Sequence, residues 1–186
     1  MSAEWIGLIG GLAGTILGWF LSWLSQRGRV HIYTEWNEEF SQDERYGGTK
    51  LSNNKDNADH YSYHLQLDLY NGSAEPRIMR KIEVVYRKNR KELFRVTPRD
   101  DSTVRKSGSA RFYDDVLPIT IPAKTILTVK LLGGMHKQDN YLPKIWEANR
   151  IELSYRNRKD HEKRVLIKKE DFAHYFENHP VTESEE

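Results

Sequence analysis

Tyr63-His64-Leu65-Gln66-Leu67-Asp68-Leu69-Tyr70 is the stretch that decides the fold class. Tyr63, Leu65, Leu67 and Leu69 alternate with His64, Gln66, Asp68 and Tyr70. A period of two places the first set on one face of a strand and the second on the other. Asn71-Gly72 then ends the run with turn chemistry.

Working outward, the same signals recur. Val30–Trp36 is rich in β-branched and aromatic residues and predicts a strand. Ile78–Tyr86 and Glu92–Val96 predict a hairpin across Lys88-Asn89-Arg90, with Pro98 stopping it. Phe112–Ile121 and Thr125–Leu132 predict strands on either side of Pro122-Ala123-Lys124, with Gly133-Gly134 breaking the second. Ile151–Tyr155 and Arg164–Lys168 predict a last hairpin across Asn157–His161. Residues 41–60 are polar, carry Gly47-Gly48 and Asn53-Asn54, and read as a long mobile loop. Pro143 opens a short helix, since proline suits a first helical turn. Phe172, Tyr175 and Phe176 fall at i, i+3, i+4, which predicts a short amphipathic helix over 170–179. Residues 180–186 form an acidic tail.

About eight short strands, with turn signals between them, suit an antiparallel two-sheet sandwich over 30–169, with a small β-barrel as the alternative. The chain has 186 residues, of which 38% are hydrophobic and 30% charged. The part after the first thirty residues is long enough to bury a core. A net charge of +2 argues against a whole-surface nucleic-acid binder. With no cysteine, disulfides, thiolate catalysis and cysteine-based zinc sites are excluded.

The N-terminal segment has a different character. After a short N-terminus of residues 1–4, Trp5–Leu24 contains no charge. Twenty helical residues span about 30 Å, the hydrocarbon thickness of a bilayer. The sequence therefore predicts a transmembrane helix over 5–26. Trp5, Trp19 and Trp23 stand near its ends, where indoles favour the headgroup interface. The start lacks Lys and Arg and no A-x-A site follows, which argues against a cleaved signal peptide. Arg27 and Arg29 follow the span and none precede it. The positive-inside rule then predicts a single-pass protein of the inner (plasma) membrane, with its N-terminus outside and its C-terminal domain cytoplasmic. Gly7 and Gly11, and Gly10, Gly14 and Gly18, are spaced by four. Such a strip lets helices approach closely, either in self-association or against another membrane protein.

No catalytic, cofactor or metal motif emerges. His60 and His64 share a strand face but lie about 13 Å apart by strand rise, with no third ligand in view. Asp100-Asp101 and Asp114-Asp115 read as solvated turn residues. No P-loop, nucleophile elbow or dinucleotide fingerprint is present. Two basic hairpin tips stand out: Arg87, Lys88, Arg90 and Lys91, and Arg156, Arg158 and Lys159. On a membrane-tethered domain they are candidates to face anionic lipid. No aromatic platform interleaves with them, which argues against nucleic acid.

The anchor, Leu65–Asn71, Ile82–Tyr86 and Ile119–Pro122 together resemble the membrane-tethered immunoglobulin-like sandwiches of bacteria and their phages. The likeness is architectural and carries no active site, and the inter-sheet cysteines of antibody domains are missing. The expected function is a non-enzymatic binding module at the membrane, with an unidentified protein partner or ligand and no cofactor. The alternative is an oligomerising, bilayer-disrupting effector of the defence type, controlled by a cytoplasmic sensor domain.

Overall fold

The computed structural model describes residues 3–26, 28–44, 47–108 and 110–180, with the backbone alone at 3–6, 8–9 and 25–26. A helix, α1 (Ala3–Gln26), precedes twelve strands. The first five are β1 (Val30–Asp43), β2 (Thr49–Leu51), β3 (His60–Asn71), β4 (Arg77–Lys88) and β5 (Lys91–Val96). Then come β6 (Arg99–Asp100), β7 (Arg105–Ser107), β8 (Ala110–Phe112), β9 (Ile119–Ile121) and β10 (Ile126–His136). Helix α2 (Leu142–Ile145), β11 (Arg150–Arg156), β12 (Glu162–Lys168) and α3 (Tyr175–Asn178) complete the chain.

Two antiparallel sheets form the sandwich. One runs β2-β1-β3-β10-β6 and the other β12-β11-β4-β5, with β9 pairing the start of β4. The sheets stay separate, so the two-sheet arrangement holds and the barrel does not. β3 is the central strand of its sheet, which is why its alternation is so clear. Tyr61, Tyr63, Leu65, Leu67 and Leu69 are buried against Ile82, Val84 and Tyr86 of β4 and Ile151 and Leu153 of β11.

Several boundaries differ from the sequence reading. Residues 41–60 carry more order than a loop. β1 continues to Asp43 and pairs β2, Ser41 facing Leu51, while Ser52 and Ala58 are buried. β10 does not stop at Gly133-Gly134 but runs on to His136, because glycine is what fits there. A Cβ on Gly133 would lie 2.5 Å from the ring of Tyr63 across the strand pair. Phe112–Ile121 is not one strand; only Ala110–Phe112 and Ile119–Ile121 pair, and Asp115 bridges to Arg99.

Beyond β12, a 3-10 turn at Phe172–His174 leads into α3. Phe172 is buried, and Phe40 packs on Trp146, Tyr175 and Phe176 with ring centroids 4.5, 4.8 and 5.6 Å away. The tail at 181–186 lies outside the described residues.

Among the described residues, no helix is long and apolar enough to cross a membrane. The span expected over 5–26 is thus not established by the fold. Trp5, Ile6, Leu8 and Ile9 contribute no described side chain, and five glycines dilute the remainder.

Candidate functional site

The sandwich has two ends, set by strand direction. β1 leaves the helix at Val30 and pairs antiparallel with β3, Val30 opposite Asn71 and Ser41 opposite His60. The helix end therefore collects Gly28, the Asn71–Arg77 turn and the Pro122–Thr125 turn. The Gly72 N–H donates to the Arg29 carbonyl (3.1 Å), and a side chain at Gly28 would collide with the backbone of Gly72 and Ser73. Asn71 ties the turns together, its amide donating to the carbonyls of Glu75 (2.8 Å), Ile121 (3.1 Å) and Pro122 (3.0 Å).

This geometry separates the two basic tips. β11 is antiparallel to β4, with Arg150 opposite Arg87 and Arg156 opposite Arg80. The tip at 156–159 consequently lies at the helix end, with Arg158 reaching Glu75 at 3.9 Å. The tip at 87–91 lies at the far end, so the two stand at opposite ends of the second sheet. Arg87 is also tied up, by Glu152 at 3.5 Å and the carbonyl of Arg90. Lys88, Arg90 and Lys91 stay exposed.

Arg87 belongs to a charge lattice over the outer face of the second sheet. Glu152, with 8% of its side chain exposed, also meets Arg150 (2.6 Å) and Arg164 (3.9 Å). Arg95 bridges Glu83 (2.7 Å) and Glu92 (2.8 Å). The hydrogen bond from Arg95 holds the Glu92 carboxyl below its ordinary range. The lattice covers Val85, which is fully buried although it points away from the core between the sheets.

At the far end, His60 joins two partners. Its Nδ1 lies 2.6 Å from Nδ1 of His136, and its Nε2 lies 2.6 Å from Oδ1 of Asp43. Asp59 is held below the usual carboxylate range, first by the backbone N–H of Asp43 and then by Lys137. The sequence sets His60 and His64 about 13 Å apart on one strand face; the β10 register brings His136 to His60 instead. Among the described residues, no group of three or more His, Asp or Glu side chains could hold a metal ion.

Between the two ends lies a feature that sequence reasoning missed. Glu38 points along the inner face of β1, with 2% of its side chain exposed. Its carboxylate accepts from the Trp36 indole N–H (2.7 Å), the Tyr61 hydroxyl (3.1 Å) and Lys168 (2.5 Å). Lys168 also meets Glu170, which in turn meets His179 at 2.6 Å. Burial pushes the Lys168 ammonium down, but Glu170 and Glu38 outweigh it and its pKa is raised. Glu38, Glu39, Phe40, Leu51, Tyr175 and His179 line a neighbouring open cleft of 380 Å³. The signal was in the alternation Val30, Ile32, Thr34, Trp36, Glu38, Phe40, once β1 is read past Trp36.

On α1, positions 7, 10, 11, 14 and 18 face open space, and no domain atom would meet a Cβ at any of them. Trp19 and Trp23 stack at 6.5 Å. The side chain of Trp5 and all of Arg27 lie outside the described residues.

Comparison with known proteins gives the family. The chain is 28% identical over 158 residues to the SPbeta prophage-derived uncharacterized protein YopI of Bacillus subtilis (strain 168), which covers 83% of this chain and 86% of that protein. Among solved structures, it resembles the X-ray structure of Northeast Structural Genomics Consortium target SoR45 at 10% identity and a TM-score of 0.32, over 74% of this chain and 81% of that one. That likeness is too slight to bear on fold or function. The model of the YopI Ig-like domain matches residues 28–168. With the whole sandwich so matched, the chain belongs to the YopI Ig-like domain family.

Proposed function

We propose that this chain is a non-enzymatic binding module, an Ig-like sandwich anchored at the inner membrane through residues 5–26 with its domain on the cytoplasmic side. One observation carries the reading: α1, uncharged from Trp5 to Leu24, and the far-end loops occupy opposite ends of one sandwich. β1 alone, 14 residues long, separates them by about 43 Å. Along α1, Leu12, Ile16, Leu17 and Trp19 are exposed by 58–68%, an apolar surface that lipid would cover. Arg27 and Arg29 follow it, which supports a cytoplasmic domain. The far-end loops around His60, Lys88 and His136 would meet a protein partner, and no cofactor is required.

Carbonate extraction of membranes carrying the full chain tests the anchor; release into the supernatant would refute it. A phosphatase fused to the C-terminus tests the side, since activity there would mean an exported domain. Photo-crosslinkers at Lys55, Lys88 and Lys137 should trap a partner in cells. A silent far end beside productive crosslinks elsewhere on the sandwich would show that the wrong surface has been chosen.

A second reading makes the chain a membrane effector whose helices assemble and disturb the bilayer. The observation favouring it is the unobstructed glycine strip. It predicts depolarisation of cells on overexpression, abolished by Gly14→Leu. A plain tether would tolerate a polyleucine span in place of α1 and cause no depolarisation.

A further inference from the structure

Two independent features meet at the helix end of the sandwich. The first is an exposed apolar row on the outer face of the first sheet. His31, Tyr70 and Ile126 are cross-strand neighbours on β1, β3 and β10, with Tyr33 one step further along β1. Tyr33, Tyr70 and Ile126 are 65%, 36% and 70% exposed. The second is basic: Arg158, with 78% of its side chain exposed, and Lys159 on the β11–β12 turn, and Lys124 on the Pro122–Thr125 turn. Asp160 is taken up by Arg80 (3.3 Å) and Arg156 (2.7 Å), and Glu75 faces Arg158. Asp68, opposite Tyr33, accepts from the Thr128 hydroxyl (2.6 Å), and Lys124 donates to the Gly72 carbonyl, which leaves Arg158 and Lys159 as the outermost cations of this end.

Chain length fixes where this end must be. Gln26 closes α1 and Val30 opens β1, so the four steps between them span at most about 14 Å. If the helix enters a bilayer, this end of the sandwich is therefore held close to its headgroups. Tyrosine pairs an apolar ring with a wet hydroxyl and favours the headgroup level, and cations beside it attract anionic lipid.

We propose that the helix end of the sandwich rests on the membrane as an interfacial rim. Tyr33, Tyr70 and Ile126 enter the headgroup layer, and Lys124, Arg158 and Lys159 contact anionic phospholipid headgroups. The tip at 87–91 takes no part, because it stands at the other end. This rests on the anchor reading above and adds an orientation: the domain is seated on the bilayer and does not swing freely above it.

The chain has no cysteine, so single substitutions carry unique labels. The full chain, labelled in turn at Leu17→Cys, Ile126→Cys and Lys88→Cys, is placed in nanodiscs of phosphatidylcholine with or without phosphatidylglycerol. Lipids spin-labelled at the headgroup level or deep in the chains then quench the label. Position 17 should be quenched from the deep lipid, 126 from the headgroup level, and 88 from neither. Adding Arg158→Gln and Lys159→Gln should reduce quenching at 126 in the anionic discs toward the level at 88. If 17 is quenched and 126 is not, the rim is wrong and the anchor stands. If 17 is not quenched, both fall. If 126 is shielded from aqueous quencher yet untouched by lipid, protein covers the row, and the rim is again wrong.

Discussion

Gly133 sits directly opposite Tyr63 in the β3–β10 ladder, and the tyrosine ring occupies the space a side chain at 133 would need. The ring stacks on Trp36 at 4.5 Å, so it cannot swing aside, and its hydroxyl is buried without a hydrogen-bond partner among the described residues. Gly133→Ala should therefore destabilise the fold by about 1–3 kcal/mol, the usual cost of overpacking. Tyr63→Phe removes an unpaired buried hydroxyl and should be neutral or stabilising by up to about 1 kcal/mol. Urea unfolding of both variants checks the pair. An unchanged midpoint for Gly133→Ala would mean that the ring has somewhere else to go.

Glu38 is the acid among the core-facing residues of β1, and its neighbours make it indispensable there. Replacing it with alanine takes the acceptor from the Trp36 indole N–H, and leaves the Tyr61 hydroxyl with Tyr86 alone and Lys168 with Glu170 alone. Removing one partner of a buried ion pair typically costs about 3–5 kcal/mol. Glu38→Ala should cost less, about 1–3 kcal/mol, because Lys168 is partly exposed and keeps Glu170. Glu38→Gln with Lys168→Met removes both charges of the pair and leaves Glu170 to His179, and should recover part of the loss. A double-mutant cycle with no coupling between positions 38 and 168 would contradict the network.

The same contrast explains how far the sequence could be read. Tyr63–Tyr70 announced itself because it lies at the centre of a sheet with one face on the core, where a period of two is enforced. Beyond Trp36 the strand pattern of β1 fades, because Glu38 and Glu39 break its apolar alternation. The burial of Glu38 depends on Tyr61 and Lys168, which are 23 and 130 residues away. Gly133-Gly134 looked like a breaker because local propensity knows nothing of the ring across the ladder. His136 could not be matched to His60 before the β10 register was known. The opposite placement of the two basic tips follows from strand direction alone, which composition does not record.

Stability should fall in alkali. The phenols of Tyr61, Tyr63 and Tyr86 are buried, and desolvation pushes each above the ordinary value of 10.0, as it does Tyr175. In the unfolded chain these groups lose their protons near pH 10; in the folded chain they do so later. Between those values the folded state holds more protons, so each rise in pH favours unfolding, by up to about 1.4 kcal/mol per unit for each of the three buried phenols and by less for the half-buried Tyr175. Lys168 acts in the same direction. Its folded pKa is raised above 10.5, so its contribution is complete below that value and is lost as pH rises through the folded one. The urea midpoint should stay level from about pH 7 to 9 and drop steeply above about pH 10. A level midpoint to about pH 11 would show that the phenols are not held protonated.

The last expectation concerns the helix. At about 100° per residue, positions 7, 10, 11, 14 and 18 fall within an arc of about 100°, with Ile16 on the opposite face. A glycine-lined arc lets two helix backbones approach closely, whereas a leucine within it holds them apart. Gly14→Leu and Gly11→Leu should therefore abolish self-association of the full chain, read as disulfide crosslinking through an introduced Thr15→Cys in membranes. Ile16→Ala, on the far side, should leave it unchanged. Equal crosslinking in all of these variants would mean that the glycines do not form the contact. Loss in Ile16→Ala alone would move the interface to the opposite face, and the glycine strip would then have no part in assembly.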